Sequence, residues 1–348
     1  MITIRINNKR FTDFTEASVD VMMDSLCRGF SITTDKDVKL SSGSKIEVFI
    51  DNEQYIDGFI DNNPKKDGRD GFSITATGRD MTCDLVDSCV PDEVKTMKKG
   101  INLPTMTSQT INALGLNIKV VDTVGSKPFG KAEVEAIESG AKSFEMLTAY
   151  AKKRAIYFRS GVGSIILYRI ESVSPDFEFI KGKNVVDSSA EMDLSERYNK
   201  YVVKSQLQSR SGYGSGEQYQ HGMAIDNDIR EGRFLEIVAE ENMTSEECKT
   251  RAEAEANIRR AMSFSYSVEV DGHSQNGVVY DITKGARVVD KKLDVNGTLL
   301  ITAVSFRTSK ESGDTTSLTL SYPDAFGEKA NMDAKIQKNI DISEYNSK

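Results

Sequence analysis

Hydrophobic and polar residues alternate through the first ninety residues, which is the pattern of strands that bury one face. The alternation predicts an antiparallel, all-β unit with a hairpin turn at Asp51-Asn52. The predicted strands lie at residues 2–6, from residue 30, and at 46–50, 55–60 and 72–77.

The tripeptide Gly78-Arg79-Asp80 follows the last of these strands. We expect Gly78 to release the chain from the sheet with a positive φ, and Arg79 and Asp80 to pair locally or cap the next turn. Leu85 and Val86 of that turn would pack back onto the β unit. We interpret the segment as structural, with one interface role predicted for Arg79.

Residues 91–185 change to a mixed pattern that predicts a compact α+β unit. Its predicted helices lie at 108–114 and 143–154, and its strands at 118–121, 156–159 and 164–169. All six prolines fall outside the elements predicted for the whole chain, as expected for a residue that lacks a backbone donor.

The β pattern returns from residue 186 and includes one helix. A helix at 244–261 carries a stripe of small residues, Cys248, Ala252 and Ala256, suited to close packing on a sheet. The polar segment 209–222 is predicted to be a long flexible loop, with Tyr213 and Tyr219 as interface anchors.

The two β regions share one layout of strand, turn, strand, loop and strand. Residues 45–80 have this order, and residues 286–324 repeat it. We infer two copies of one β fold with the α+β unit between them. The predicted division is 1–90, 91–185 and 186–325, with a C-terminal tail at 326–348.

Charge and hydropathy narrow the choice of function. The chain has 45 Lys and Arg against 53 Asp and Glu, a net charge of −8, so it lacks the basic stripe of a stable nucleic-acid binder. No apolar run approaches the ~20 residues that a membrane helix needs. The N-terminus lacks a signal peptide's apolar core, so we predict synthesis in a cytoplasm and no membrane anchor.

Candidate chemical motifs are weak. The segment Gly125–Lys131 fits G-x4-G-K, but Ala132 stands where a phosphate-binding loop needs a hydroxyl and Pro128 removes a donor. His221 and His273 are predicted to be solvated loop residues. Sequence leaves a Ser-His-Asp arrangement open, although no G-x-S-x-G segment accompanies either histidine.

The remaining candidates also have ordinary explanations. Cys83 and Cys89 have no zinc or redox spacing, so the four cysteines are predicted to be free thiols. Close carboxylate pairs arise by chance among 53 acidic residues. We predict no catalytic residue, no cofactor and no metal.

The order of segments resembles a known family. The chain resembles the baseplate hub proteins of Mu-like contractile-tailed phages (the tail protein P or late control protein D family) in four segments. These are the strand ending in GRD with the turn DLVDS, the segment 128–169, the helix and strand of 240–272, and the closing hairpin 299–326. Tyr280 stands where that family often has Trp.

The resemblance implies a fold and a function. It implies a mainly β chain with two tube-like antiparallel β-barrel domains flanking a small α+β domain. It also implies a structural, non-enzymatic homotrimer with pseudo-six-fold symmetry around the DNA exit channel. Such a trimer would adapt the hexameric tail tube protein to the trimeric central spike protein, beside baseplate wedge proteins in the virion tail, after assembly in the host bacterial cytoplasm.

Two other classes of function remain as alternatives. One is a β-rich tail-fibre or adhesin-like binding module, for which Tyr213 and Tyr219 in a loop are the supporting feature. The other is a tail-associated cell-wall hydrolase, which would carry a zinc ligand set or a lysozyme-like helical domain.

Overall fold

The computed structural model describes residues 1–323 apart from 70, 97–99, 131–136, 153, 155, 171–172, 207–218 and 240–243. The helices are α1 (Cys83–Asp87), α2 (Leu103–Ala113), α3 (Ser143–Lys152) and α4 (Ser245–Met262), with a 3₁₀ turn at Asp92–Val94. The strands up to residue 168 are β1 (Ile2–Ile6), β2 (Lys9–Phe11), β3 (Glu16–Met22), β4 (Gly29–Thr34), β5 (Lys45–Ile50), β6 (Glu53–Asn62), β7 (Lys65–Gly68), β8 (Gly71–Asp80), β9 (Lys119–Asp122), β10 (Tyr157–Gly161) and β11 (Ser164–Tyr168). The later strands are β12 (Pro175–Ile180), β13 (Asp187–Met192), β14 (Lys200–Gln206), β15 (Tyr219–Ile225), β16 (Phe234–Val238), β17 (Phe264–Asp271), β18 (Ser274–Gln275), β19 (Val278–Val279), β20 (Gly285–Asp290), β21 (Val295–Ser309) and β22 (Gly313–Ser321).

One sheet of 14 strands joins the two ends of the chain. Its main path runs β13-β17-β22-β21-β3-β4-β8-β6-β5-β1-β2, with β7 on β8 and β12 on β20. The alternating side chains bury one face in a single apolar cluster that includes Ile4, Val19, Ile74, Tyr266 and Phe306. The two β regions therefore share one core.

The two β regions contain the same order of strands. In the first region, β1, β5, β6, β8, β4 and β3 are neighbours in that order; in the second, β12, β20, β21, β22, β17 and β13 are. We call these sets the first and second repeat. If the six strands of each repeat are numbered 1 to 6 in the order in which they occur along the chain, their spatial order in the sheet is 1-4-5-6-3-2 in both repeats. One pairing differs, because β1 is antiparallel to β5 whereas β12 is parallel to β20.

The middle unit packs three helices on a small sheet, β10-β11-β9. Its own apolar cluster contains Leu103, Leu147 and Ile165. The helix α2 begins at Leu103 rather than at the predicted residue 108. Asn102 caps it, because its side chain accepts a hydrogen bond from the Thr105 N–H. Pro104 lies in the first turn of α2, where a backbone nitrogen needs no hydrogen-bond partner. The prediction that every proline lies outside an element was therefore wrong.

A third unit lies within the second β region. The sheet β15-β14-β16 packs against α4, and Cys248, Ala252 and Ala256 are buried on it with Tyr201 and Val203, as the small-residue stripe predicted. The approach is close enough that a Cβ on Gly222 of β15 would lie 2.0 Å from the Lys249 backbone nitrogen. This contact explains why the stripe contains only small side chains.

The predicted fold class, mainly β with an α+β unit between two β regions, is confirmed. Two local predictions were wrong. Gly78 stays inside β8 and does not release the chain from the sheet. The position requires glycine because a Cβ there would lie 2.0 Å from the Phe59 carbonyl oxygen and 2.6 Å from the Phe30 ring. Leu85 and Val86 pack into the middle unit rather than back onto the β region. Within the described residues, no helix is long and apolar enough to span a membrane.

Candidate functional site

The large sheet presents a polar surface opposite its apolar core. Residues that face each other across paired strands share one side of a sheet. On one side of β13, β17, β22, β21, β3, β4, β8 and β7 these rows consist largely of hydroxyl side chains. We call this surface the polar face; its hydroxyl residues are Ser18, Ser31, Thr33, Ser73, Thr75, Thr77, Ser189, Ser265, Ser267, Ser305, Ser309, Thr315, Ser317 and Thr319.

The charges on the polar face are mostly negative. Its acidic side chains are Glu16, Asp20, Asp187, Glu191, Glu269 and Asp271, and its basic side chains are Lys66, Arg79 and Arg307. Six negative against three positive charges leave an excess of three negative charges on these strands. A surface of this kind does not retain a polyanion such as DNA, because it offers few cations to replace the counterions of phosphate.

Arg79 lies at the end of the polar face and is held by carboxylates of its own chain. Its guanidinium donates two hydrogen bonds to Asp87, at 3.1 and 2.8 Å, and one to Asp61 at 3.0 Å. The bonds from Arg79 hold the pKa of Asp87 below its ordinary value. Arg79 thus fastens α1 to the sheet, which is the local pairing predicted, and its interface role stays a prediction.

A buried polar junction connects the first repeat to the middle unit. The Arg28 guanidinium donates to the carbonyl oxygens of Tyr55 at 2.8 Å and Ser160 at 2.9 Å. Asp80 accepts hydrogen bonds from the Arg28 N–H, the Ser160 hydroxyl and the Thr82 N–H that opens α1. Asp80 thus caps the next turn as predicted, and it also positions β10 against the sheet.

The junction extends to the second repeat. The Tyr55 hydroxyl donates to Asp281 at 2.9 Å, and Arg159 of β10 forms an ion pair with the same carboxylate at 3.1 Å. Burial is the main reason why the pKa of Tyr55 lies well above its ordinary value, so the phenol stays a donor. These contacts hold the three parts of the chain in one arrangement.

A second ionic cluster anchors α4. Asp226 is buried and accepts hydrogen bonds from Arg197 at 2.7 and 3.1 Å and from Arg260 at 3.0 Å. Burial by itself would raise the pKa of Asp226, but the bonds and charges of the two arginines outweigh it and hold that pKa below the ordinary value. Asp228 is the second carboxylate of the cluster and accepts from Arg197 at 3.4 Å and from Arg260 at 3.1 Å. Two cations are thus matched by two carboxylates, as in a structural ion-pair network.

The loop that resembles a phosphate-binding motif is already occupied by a carboxylate. Asp122 accepts hydrogen bonds from the N–H groups of Val124, Gly125 and Ser126, at 3.0, 3.1 and 3.3 Å. Gly125 and Ser126 belong to the loop, so two of the N–H groups that could contact a phosphate already bind a carboxylate. Lys131 lies outside the described residues.

The two histidines do not lie in solvated loops, so that prediction was wrong. His221 is in β15, and His273 is buried between the hydroxyls of Thr316 at 3.0 Å and Thr308 at 3.1 Å. Burial is the main cause that lowers the pKa of His273, so the ring is neutral at pH 7. In the described parts of the chain, no group of three or more His, Cys, Asp or Glu side chains is placed to hold a metal ion.

The cysteines are free thiols, as predicted. Burial raises the pKa of Cys27 to about 11 and that of Cys83 to about 12, so both stay protonated and unreactive. Cys89 is exposed, whereas Cys248 is buried on the side of α4 that packs against the sheet.

The predicted flexible loop is shorter than expected at its end, because β15 begins at Tyr219. Residues 207–218, including Tyr213, lie outside the described residues. The interface role of Tyr213 and Tyr219 stays a prediction.

Sequence reasoning missed the polar face and the junction for different reasons. The alternating Ser and Thr positions were present in each strand and could have been aligned once a strand order was assumed. Arg28 and Ser160 carried no signal, since they lie 132 positions apart and each has an ordinary local sequence.

Comparison with known proteins agrees with the resemblance. No protein-family model matches the chain. The chain is 24% identical to the baseplate hub protein gp44 of Escherichia phage Mu, over 98% of this chain and 92% of that protein. The similarity to baseplate hub proteins of Mu-like phages that the sequence indicated is confirmed.

Solved structures show the same fold. The 43 kDa tail protein of prophage MuSo2 from Shewanella oneidensis matches with a TM-score of 0.82 and 22% identity, over 93% of this chain and 98% of that one. The tail protein from Neisseria meningitidis MC58 matches with a TM-score of 0.79 and 18% identity, over 93% and 97% of the two chains. The chain therefore has the fold of phage tail proteins and is similar in sequence, over nearly its whole length, to the baseplate hub protein of phage Mu.

Proposed function

We propose that the chain is the structural baseplate hub of a phage tail and that it assembles as a homotrimer with pseudo-six-fold symmetry. The near full-length similarity to the Mu hub supports the hub role. The observation that carries the symmetry proposal is the common strand order of the two repeats. Three chains with two repeats each present six similar units around one axis.

The repeats are suited to a symmetry adaptor. A ring of six similar units is complementary to a hexameric tail tube protein, while the middle unit and the α4 unit occur once per chain and keep three-fold symmetry for the spike. The domain division belongs to this proposal, with tube-like domains at 1–90 and 186–325 and the α+β domain at 91–185. The strand β12, residues 175–180, pairs with β20 and belongs to the second repeat, although it precedes residue 186.

The polar face supports a channel for DNA. In a closed ring, one side of the sheet faces the axis, and the side rich in serine and threonine is the one that tolerates water. Its excess of negative charge lets DNA pass without stable binding. The apolar side is already buried within the chain.

The role proposed is structural and not enzymatic, in the virion tail after assembly in the host cytoplasm. The partners are the tail tube protein, the central spike protein and baseplate wedge proteins. The named relatives, a baseplate hub protein and phage tail proteins, support this assignment.

Light scattering and electron microscopy test the proposal. We expect a particle with three times the 38.5 kDa mass of the chain, and images down its axis with three-fold symmetry and a ring of six similar lobes around an open centre. A protein that stays monomeric at every concentration tested, or a closed particle without a central opening, would contradict it.

A further inference from the structure

The two repeats of one chain meet along an antiparallel strand pair that we call the internal seam. It joins β3 to the second half of β21, from Glu16 opposite Ser309 to Met22 opposite Ala303. On its apolar side, Val19 and Phe306 are fully buried. On the polar face, Arg307 Nε lies 2.7 Å from Glu16 Oε1, and the Ser305 hydroxyl donates to Asp20 at 2.6 Å.

A shared β-bulge aligns the repeats residue by residue. The register of β6 on β8 shifts just after Ile60, and that of β21 on β22 shifts just after Ile301. Six residues beyond these points lie Lys66 in β7 and Arg307 in β21, which face Ser73 and Thr315. Lys66 therefore occupies in the first repeat the place of Arg307 in the second.

The same alignment identifies the counterpart of Glu16. In the first repeat, Ile60 pairs with Gly78 on the next strand. Gly78 in turn pairs with Phe30, and Phe30 pairs with Val19. In the second repeat, the same series of pairings joins Ile301 to Leu320, Leu320 to Tyr266, and Tyr266 to Ala190. Val19 thus corresponds to Ala190, and three residues earlier Glu16 corresponds to Asp187. The ion pair Arg307–Glu16 has the counterpart Lys66–Asp187.

These counterparts lie on two separate edges of the sheet, Asp187 on the end strand β13 and Lys66 on β7, which pairs with β8 off the main path. Among the described strands, β13 pairs only with β17 and β7 pairs only with β8. The Asp187 side chain is 84% exposed, and Lys181 Nζ lies 3.9 Å from it. The two edges are complementary in charge, since β7 begins with Lys65-Lys66 and β13 carries Asp187 and Glu191.

We propose that β13 of one copy pairs antiparallel with residues 62–68 of a second copy of this chain, with Lys66 forming a diagonal ion pair with Asp187 in the way that Arg307 does with Glu16. The inference rests on the proposed homotrimer and names the surfaces that hold it together. Each chain supplies both halves of the contact, so the interface is head-to-tail and closes only if the repeats are related by rotation around a ring. Pairing also covers two sheet edges that would otherwise invite aggregation.

The backbone of the receiving edge permits this pairing. The carbonyl oxygen of Pro64 accepts a hydrogen bond from the Thr75 N–H, so the backbone groups of Pro64 point toward β8. The nitrogen that proline cannot use as a donor therefore lies on the inner side. The groups of Lys65 and Asp67 alternate to the outer side, where an added strand needs them.

Charge reversal tests the inference. We expect Lys66→Glu and Asp187→Lys each to lower the trimer association constant at least about tenfold, because the reversed pair recurs at every interface of the ring. The double variant should restore association, since the pair is then reformed with exchanged signs. Lys119→Glu, at an exposed position on β9 of the middle unit, is the matched control and should assemble like the parent protein.

A crosslink gives an independent readout if a reversal variant folds poorly. Lys66 should face Ser189 of the next copy, as Arg307 faces Ser18 in the internal seam. With Cys27 and Cys89 changed to serine, oxidised Lys66→Cys/Ser189→Cys should run as a reducible covalent trimer. Lys66→Cys/Ser267→Cys, one strand further from the edge, should stay monomeric on a denaturing gel.

The outcomes separate this inference from the proposed function. If the parent protein is not a trimer, the proposed function fails. If the parent protein is a trimer, the absence of a covalent trimer, or a double reversal no better than the single ones, overturns the strand pairing and leaves the hub proposal standing.

Discussion

At the scale of single residues, Asp226 contributes to the way the protein responds to acid. The ordinary pKa of an aspartate is about 3.9. Arg197 and Arg260 hold the pKa of Asp226 below that value. A lowered carboxyl pKa contributes stability that is present above the ordinary value and lost as pH falls through the native one. We therefore expect the contribution of this cluster to begin to fall below about pH 4 and to be lost as pH falls through the lower native pKa.

Asp226→Asn should lower the free energy of unfolding at pH 7 by about 3 kcal/mol, because Arg197 is left buried beside a neutral group. The loss should shrink as pH is lowered toward 3, which urea unfolding at several pH values would measure. Asp228→Asn is the control, since that carboxylate is 44% exposed and should cost under about 1 kcal/mol. Equal effects of the two variants would contradict the assignment.

Gly78 lies where neighbouring residues leave no room for a side chain. Gly78→Ala should destabilise the protein by about 2 kcal/mol, because its Cβ would collide with the Phe59 carbonyl and the Phe30 ring. Gly29→Ala in the neighbouring strand has nothing within 4 Å of the added carbon and should be nearly neutral. Thermal unfolding of both variants checks the difference, and similar melting temperatures would show that the sheet can relax around residue 78.

At the scale of elements, α4 depends on small residues to reach its sheet. Ala252→Leu should destabilise the protein by about 1–3 kcal/mol, since Ala252 is fully buried against the sheet that contains Gly222. Ala254→Leu, on a half-buried side of the same helix, should cost much less. Hydrogen exchange of β14 and β15 would show whether the loss is confined to this unit; unchanged protection there would contradict the packing argument.

At the scale of the whole molecule, the polar face should determine how the assembled ring treats DNA. We expect no binding of double-stranded DNA by the parent protein at physiological salt. Ser267→Lys/Ser317→Lys adds two cations per chain to the polar face and should produce binding that weakens steeply as salt rises. Filter binding at several salt concentrations measures both.

The control for that experiment places the same charges elsewhere. Two lysines on exposed positions of the middle unit, such as Asn112→Lys and Asn117→Lys, should change DNA binding far less than the polar-face pair. Equal binding by the two variants would mean that the polar face does not line a channel.

Much of the fold could be predicted from sequence because its signals are local. The alternation in β5, β6 and β8 and in β20, β21 and β22 was enough to indicate two copies of one layout. The stripe on α4 indicated close packing for the same reason, since a helix repeats every 3.6 residues whatever it packs against. The functional class came from the order of such segments along the chain.

The tertiary structure decided what depends on distant partners. Phe30 and Phe59 leave no room for a side chain at Gly78, and Leu85 joins the middle unit because that unit lies beside α1. His273 is buried because β21 and β22 bring Thr308 and Thr316 to its ring. Periodicity along the chain determines which residues face inward, but only strand pairing determines what they face, and the joining of the two repeats at β3 and β21 is a pairing that no local pattern contains.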